Sequence, residues 1–335
     1  MASTLEEVAR LAGVSRSTVS RVINNHPNVR PEVRKRVWEV IQRVGYQPHA
    51  AARSLVTNRT QVLGLVIPRG LVTLFSDPFF PILIRGVADV CTARRYHLML
   101  SFFSDPLQQE ELYRRALRSR LLDGVILSGA PLDDPLVPWL LQDNTPFVIA
   151  GRYPDERVTY VDVDNIGGAR MAVEHLLRLG HRRIATITGP LTMMAGQDRL
   201  EGYRQALLSR GIPLNDALIV EGDFTEEGAR VAMQRLLPQR PTAVFVASDT
   251  MAVGAMKAIR EAGLHIPDDI AVVGFDDLPI ASVVEPPLTT VRQPIERMGA
   301  MATEMLIGLV EGTITGPQHI ILPTQLIVRA SCGSL

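Results

Sequence analysis

Cysteine is almost absent from this chain. Cys91 and Cys332 are the only two in 335 residues. They form no disulfide framework and no metal-ligand spacing, which suits a reducing cytoplasm. Long apolar runs are missing too. None approaches the ~18 residues of a membrane span. The N-terminus MASTLEEVAR has no basic stretch followed by an apolar one, so no secretory signal is expected. Lysine is scarce, at two against 33 arginines; genome composition accounts for this and no function is read into it. The signatures of catalysis are also absent: G-x-S-x-G, a P-loop, H-E-x-x-H, and G-x-G-x-x-G after the first strand. His175 and His181 flank a helix end in EHLLRLGH without further ligands, which suits polar roles at a helix terminus. These absences predict a cytoplasmic chain that is not an enzyme, needs no metal and no cofactor, and has no membrane partner.

Net charge is zero, but the zero conceals an asymmetry. Residues 1–60 hold ten Arg and Lys against four Asp and Glu, a net +6; residues 61–335 hold 25 against 31, a net −6. A basic head on an acidic body is the electrostatic footprint of phosphate-backbone binding. The length exceeds one typical domain and allows a large core.

Helical signals fill the basic head. Thr4 and Glu7 make a T-x-x-E capping box, so a helix starts at Leu5 with Val8, Ala9 and Ala12 on its apolar face. Gly13 permits a sharp turn. Ser15 is placed to cap a second helix whose apolar side is Val19, Val22 and Ile23. Two short helices joined by a Gly-containing turn form a helix-turn-helix, whose second helix enters the major groove. Its polar side carries Arg16, Ser17, Thr18, Ser20, Arg21 and Asn24, side chains suited to bases and phosphates. Pro31 fits the first position of a third helix, with Val33, Val37, Val40, Ile41 and Val44 inward and Gly45 at its end.

From residue 61 the pattern changes to alternating strands and helices. Apolar runs at 62–67, 97–102, 124–128 and 147–150 suit buried strands, and a second set lies at 183–188, 243–247 and 270–274. Helical patterns lie near 80–94, 107–119, 165–179, 199–210, 225–237 and 250–262. A last helix at 294–311 and short strands at 318–322 and 325–329 close the chain. Such alternation predicts an α/β body of doubly wound parallel sheets behind an all-α head, and the two sets suggest two similar lobes.

Residues 3 to 60 resemble the start of a lactose repressor/galactose repressor family regulator. VARLAGVSRSTVSRVIN, VRPEVRKRVWEVIQRVGYQP and AARSL follow that family's pattern in order. The resemblance continues through DPFFPILIRGV, PFVIAGR, RLEGYRQAL, SDTMAVGAMKAIREAGLHIPDDIAVVGFDD and PPLTTVRQP, so it covers essentially the whole chain. It implies a DNA-binding head (1–47), a hinge helix and linker (48–60), and an effector-binding and dimerisation body (61–335) similar to periplasmic sugar-binding proteins. Lobe one would hold 61–161 plus 294–320, lobe two 162–290 plus 321–335, with crossings near 161–163, 289–293 and 320–324. A homodimer would repress from a palindromic double-stranded operator under the control of a small-molecule effector, a sugar. A periplasmic sugar-binding protein shares the body but would need a signal peptide in place of the basic head.

The resemblance also assigns residues. Thr4, Ser15, Arg16, Ser17, Thr18, Ser20, Arg21, Asn24, Asn28 and Ala52 would contact DNA. Leu55 would wedge between central base pairs in the minor groove, from an Ala-rich helix too short to be stable alone. Whether the effector releases DNA or promotes its binding is not written in the sequence.

Ligands of open parallel sheets bind beyond the carboxyl ends of the strands, here between the lobes. Phe79, Phe80, Arg152, Arg199, Phe224, Ser248, Asp249 and Asp276 sit at or just past such ends and match positions the family or its relatives use. Aromatic faces cover sugar C–H surfaces, and Arg and Asp bind hydroxyls. Phe79 and Phe80 also suit a core, and Asp249 also suits a cap for a helix starting at Thr250. Two departures stand out. Pentose-binding relatives carry Asp-Arg where this chain has Gly151-Arg152, so one hydroxyl acceptor is missing. The loop at 69–78, within PRGLVTLFSDPFF, is longer than usual and could extend the site, act as a lid or contact a dimer mate.

Overall fold

A computed structural model describes residues 4–23, 26–46, 59–67, 77–102 and 121–333. The Glu7 amide donates to Thr4 Oγ1 at 3.2 Å and opens helix α1 (Leu5–Ala12). Gly13 ends it at φ 63°, a left-handed conformation that costs glycine little. The Thr18 amide donates to Ser15 Oγ at 3.1 Å at the head of α2 (Arg16–Ile23). Pro31 occupies the first turn of α3 (Pro31–Val44), which stops at left-handed Gly45. Val8, Val19, Val22, Val37 and Ile41 are buried together between the three helices. Fully burying such a side chain is worth about 1.5–3 kcal/mol, so five of them are a large share of what holds a small head together. The expected inward residues Val33 and Val44 pack at the margin of this cluster. Asn24, Ala52, Leu55 and the hinge helix lie outside the described residues, as do the helix near 107–119 and most of the long loop.

The chain forms two compact units, a head up to Gln61 and a body from Val62. In the latter, one sheet has the order β11-β5-β4-β3-β1-β2. Its strands are β1 (Val62–Ile67), β2 (His97–Phe102), β3 (Gly124–Ser128), β4 (Phe147–Ala150), β5 (Tyr160–Val163) and β11 (His319–Leu322). All its pairings are parallel. Helices α4 (Phe79–Ala93), α5 (Leu136–Gln142) and α11 (Ile295–Glu311) belong to this lobe. The second sheet has the order β12-β10-β9-β8-β6-β7. It comprises β6 (Ile184–Thr188), β7 (Ile219–Glu221), β8 (Ala243–Val246), β9 (Ala271–Asp276), β10 (Thr289–Arg292) and β12 (Gln325–Ile327). Only β12 runs antiparallel to its neighbour. Helices α6 (Asn165–Arg178), α7 (Met194–Ser209), α8 (Glu226–Leu236), α9 (Asp249–Glu261) and α10 (Ile280–Val283) accompany it. Continuous apolar strands follow from burial on both faces.

Helix pairs approach closely through glycine. A side chain at Gly86 on α4 would collide with the Glu296 carbonyl of α11, one at Gly202 on α7 with the Ile166 carbonyl of α6, and one at Gly254 on α9 with the Glu226 carbonyl of α8. The sequence boundaries shift where pairing extends a strand. Asp162 and Val163 pair with Ile321 and Leu322, so all four stay in the first sheet rather than passing to the second lobe. Val291 and Arg292 pair with β9 and β12 in the second sheet. The chain therefore crosses just after Val163, Arg292 and Leu322. Helix α7 starts at Met194, five residues before the expected 199. Its first turn packs onto its own loop, where a Cβ on Gly196 would strike the Pro190 carbonyl. Among the described residues no helix is long and apolar enough to cross a membrane.

Candidate functional site

The exposed side of α2 presents Arg16, Ser17 and Arg21, while Thr18 and Ser20 are half-buried beside the buried Val19 and Val22. The Arg16 guanidinium lies 3.0 Å from Glu6 of α1, both highly exposed. Ser15 Oγ, besides capping α2, lies 2.8 Å from the hydroxyls of Ser17 and Thr18. The Thr4 hydroxyl caps α1. Asn28 is exposed, in a turn fixed by a bond from its amide to His26 Nδ1. One face of the head thus carries two arginines and a run of hydroxyls, groups that meet base edges and phosphates.

In the body a cavity of about 440 Å³ lies between the lobes. Strand ends supply its polar floor. Asp162 is the penultimate residue of β5, Asn165 opens α6, Asp276 ends β9, and Gln293 follows β10. Arg199 reaches this floor from α7. Its Nε donates to Asn165 Oδ1 at 2.8 Å and its Nη1 to the Ala247 carbonyl at 2.5 Å. Nη1 also lies 3.6 Å from Asp276 Oδ1, and the guanidinium stacks 3.8 Å from the centre of the Phe275 ring. The Asn165 amide donates to both Asp162 oxygens, and Gln293 Nε2 donates to Asp276 Oδ1 at 2.5 Å. Burial pushes the Asp276 carboxyl up to about 7, against the pull of Arg199. Burial likewise lifts Asp162 to about 6. The guanidinium of Arg199 is depressed by desolvation, its carboxylate neighbours opposing the shift.

Backbone strain gathers at the same place. Asp276 has φ 122° and Phe224 φ 61°, conformations that side-chain-bearing residues rarely adopt. Phe224 packs its ring against Gly189, where a Cβ would overlap it.

Of the eight expected cleft residues, Phe79, Phe80, Arg199, Phe224, Ser248 and Asp276 line the cavity. Two do not. Arg152 turns instead to Asp198 on α7, with Nη2 donating to both carboxylate oxygens at 2.5 and 2.6 Å. Asp249 is fully buried, accepting from the Leu278 amide at 2.7 Å and Thr290 Oγ1 at 2.5 Å. It ties the loop after β9 in place, and Ser248, not Asp249, caps α9 by accepting from the Met251 amide. Phe80 is 6% exposed and also belongs to the first lobe's core. Sequence reasoning missed Asp77, Asp162, Asn165 and Gln293. Each lies at a helix start or a chain crossing, so strand-end polarity around the crossings was the signal to follow. Besides Arg152–Asp198, the lobes meet where the Leu132 amide donates to the Thr192 carbonyl at 2.8 Å and where Thr250 Oγ1 donates to Asp77 at 3.3 Å. No group of acidic, histidine or cysteine side chains among the described residues is placed to hold a metal.

A helix-turn-helix head with a two-lobed, cleft-bearing body defines a ligand-responsive DNA-binding regulator. The family description "Bacterial regulatory proteins, lacI family" matches residues 4–49, and "Periplasmic binding protein-like domain" matches 173–332. The chain is 43% identical to the HTH-type transcriptional regulator CelR of Thermobifida fusca over 333 residues, 98% of each chain. It is 37% identical to the ribose operon repressor of Escherichia coli (strain K12), over 98% of this chain and 99% of that one. A solved complex of the transcriptional regulator CelR with cellobiose superposes with a TM-score of 0.79 at 41% identity, over 98% of this chain and 99% of the other. The Lac repressor dimer bound to operator and the anti-inducer ONPF gives 0.83 at 28% identity, over 99% of each. The chain belongs to the lacI family, the lactose repressor/galactose repressor family of bacterial transcriptional regulators. It is a DNA-binding regulator and not an enzyme.

Proposed function

We propose that this regulator is a cytoplasmic repressor that binds a palindromic operator as a homodimer and changes its grip on DNA when a sugar enters the interlobe cavity. The observation that carries the sugar reading is the Asp162–Asn165–Arg199–Asp276–Gln293 network on the cavity floor. It offers charged donors and acceptors to hydroxyls, while Phe79 and Phe224 supply flat apolar faces. The relatives' names point the same way, since one was solved with cellobiose and another represses a ribose operon. Residues 1–47 would read the operator, 48–60 form the hinge, and 61–335 hold the effector and the dimer mate. Base and phosphate contacts are assigned to Thr4, Ser15, Arg16, Ser17, Thr18, Ser20, Arg21 and Asn28 in the described head, with Asn24, Ala52 and Leu55 completing the set. One head buries too little surface for tight specific binding, which favours a dimer on two half-sites.

A ligand shifts DNA affinity only if it binds the two lobe arrangements unequally. The test is fluorescence anisotropy of the full chain on its own promoter DNA, with and without cellobiose, ribose and glucose. At least one sugar is expected to change operator affinity fivefold or more. Unchanged operator binding across all sugars up to millimolar concentrations would sink the proposal.

A further inference from the structure

Two consecutive residues at the end of β9 hold left-handed backbones. Asp276 has φ 122° and Asp277 φ 58°, a pairing that residues with side chains rarely adopt. The turn sends the two carboxylates to different places: Asp276 lines the cavity and Asp277 does not. Asp277 is held between two arginines. Arg329 Nη2 donates to its Oδ1 at 2.6 Å, and Arg292 Nε to its Oδ2 at 2.6 Å. The arginines are unequal. Arg292 is half exposed, whereas Arg329 is largely covered, and its Nη1 also donates to the Leu288 carbonyl at 2.8 Å. The main chain that carries Arg329 is stitched to the second sheet. Its amide donates to Thr289 Oγ1 at 2.8 Å. Two residues on, Ser331 Oγ accepts from the Thr289 amide at 2.8 Å and donates to the Val272 carbonyl at 2.6 Å. Arg329 therefore reaches Asp277 from a fixed base, and its planar fork loses little freedom in forming the pair.

From this arrangement we infer that Arg329, in the C-terminal tail and outside the cavity, is a positioning residue of the effector site: by gripping Asp277 it holds the strained turn that presents Asp276 to the cavity. The inference rests on the sugar reading above, which puts the effector on the floor that Asp276 helps to form. Like charge makes the grip necessary. Asp249 lies beside the same turn, where burial first, and then the charges of Asp276 and Asp277, raise its carboxyl. Arg199 is the cation of Asp276, so Asp277 needs one of its own. Without it, repulsion among neighbouring carboxylates would act on the turn unopposed. Asp249 holds the turn from its other end, accepting from the Leu278 amide at 2.7 Å. That amide reports whether the turn is in place.

The test compares the full-length wild type with Arg329→Gln, with the double variant Arg329→Gln/Asp277→Asn, and with Ser331→Ala, which weakens the same tail without touching Asp277. Hydrogen exchange is followed at the Leu278 and Thr289 amides, and binding of cellobiose, ribose and glucose by calorimetry. Arg329→Gln is expected to speed exchange at Leu278 roughly tenfold, the scale of a lost hydrogen bond to a charged group. It should weaken whichever sugar the wild type binds by about fivefold or more, with operator affinity in the absence of sugar unchanged. The double variant removes the abandoned charge, so it should fold even where Arg329→Gln alone does not. It should exchange at Leu278 faster than wild type and, where both variants fold, more slowly than Arg329→Gln. Ser331→Ala should speed exchange at Thr289 and leave Leu278 and sugar affinity as in the wild type. Wild-type exchange at Leu278 without Arg329, the same acceleration there in Ser331→Ala, or an unchanged sugar affinity beside a loosened Leu278 would overturn the positioning role and leave the sugar reading standing. If the wild type binds none of the three sugars, the sugar reading falls, and Leu278 exchange still decides whether Arg329 holds the turn.

Discussion

Arg152 and Asp198 clasp the two lobes of the body together. The arginine follows β4 in the first lobe, the aspartate sits in the first turns of α7 in the second, and one guanidinium nitrogen bonds both carboxylate oxygens. Arg152 retains 29% side-chain exposure and Asp198 10%, so the pair is partly shielded from water. A hydrogen bond to a charged group contributes about 1.5–3 kcal/mol, and the residual exposure of Arg152 argues for the lower end. Asp198→Asn should therefore shift the lobes toward an open arrangement. The Leu132 amide, which bonds Thr192 across the cleft, is the reporter. Its hydrogen exchange should accelerate roughly tenfold, the factor that ~1.4 kcal/mol gives. Exchange at Leu132 as slow as in the wild type would show that the clasp does not hold the lobes.

Arg21 stands exposed on α2, five residues after Arg16, while Val19 and Val22 anchor the helix behind it. Its planar fork suits guanine O6 and N7. Arg21→Ala should cost roughly 1–3 kcal/mol on the operator and relax preference at one base pair per half-site. Thermal stability should be unchanged, because nothing buried depends on this side chain. Selection of binding sites from a randomised operator library checks it; an unaltered preference at every position would remove Arg21 from base reading.

The head was legible in the sequence because local chemistry decides it. Thr4, Gly13, Ser15, Pro31 and Gly45 each specify a cap or a turn within a few residues, and each does so in the structure. Most of the strands were legible as apolar runs, but the parallel strands β5, β7 and β10 were not. The cleft was harder. Arg199 and Asp276 could be placed from strand ends, but Arg152 could not, because its partner Asp198 lies 46 residues on and in the other lobe. Asp249 looked like a cap, yet its carboxylate answers Leu278 and Thr290, groups that only the tertiary fold brings near. Asp162 and Gln293 escaped notice because the four-residue strands β5 (YVDV) and β10 (TTVR) mix polar with apolar residues, whereas the equally short β4 (FVIA) and β8 (AVFV) are apolar throughout.

The burial of Arg199 alters what its removal should do. The side chain is 6% exposed and bonds Asn165 and the Ala247 carbonyl, with Asp276 at 3.6 Å. Arg199→Ala leaves Asp276 buried without its cation, a loss of about 3–5 kcal/mol for breaking a buried pair. The variant should melt several degrees lower and lose its response to sugar, while a head that folds on its own short-range caps should still bind operator DNA. Differential scanning calorimetry and operator titration with cellobiose check the two parts separately. A normal sugar response in a folded Arg199→Ala protein would show that the cavity floor does not hold the effector.

Asp276 also makes the body's stability depend on pH, in a direction that follows from its burial. Its carboxyl is raised from the ordinary 3.8 to about 7 in the folded chain. Between those values the folded state holds a proton that the unfolded state has released, so stability falls as pH rises. The contribution is fully present below 3.8 and lost as pH passes through about 7. Asp162, raised to about 6, acts in the same sense over a narrower window. The buried Asp249 carboxyl is raised as well. His181 opposes them: desolvation lowers its pKa below 6.5, so its protonation weakens the fold as pH falls through that region. Asp155 and Asp269 are held below 3.8 by hydrogen bonds and are ionised in both states above pH 5, so they add no slope there. Asp276→Asn isolates one group, since an amide keeps the shape and can still accept from Gln293 Nε2. Melting curves at pH 5.5 and pH 8 should show the wild type losing more stability with rising pH than Asp276→Asn. Because the charged form is the costly one, the variant should gain on the wild type at pH 8, less whatever Arg199 loses with its counter-ion. Parallel pH profiles for the two proteins would show that Asp276 does not titrate between them, and the raised carboxyl would have to be sought at Asp162 or Asp249.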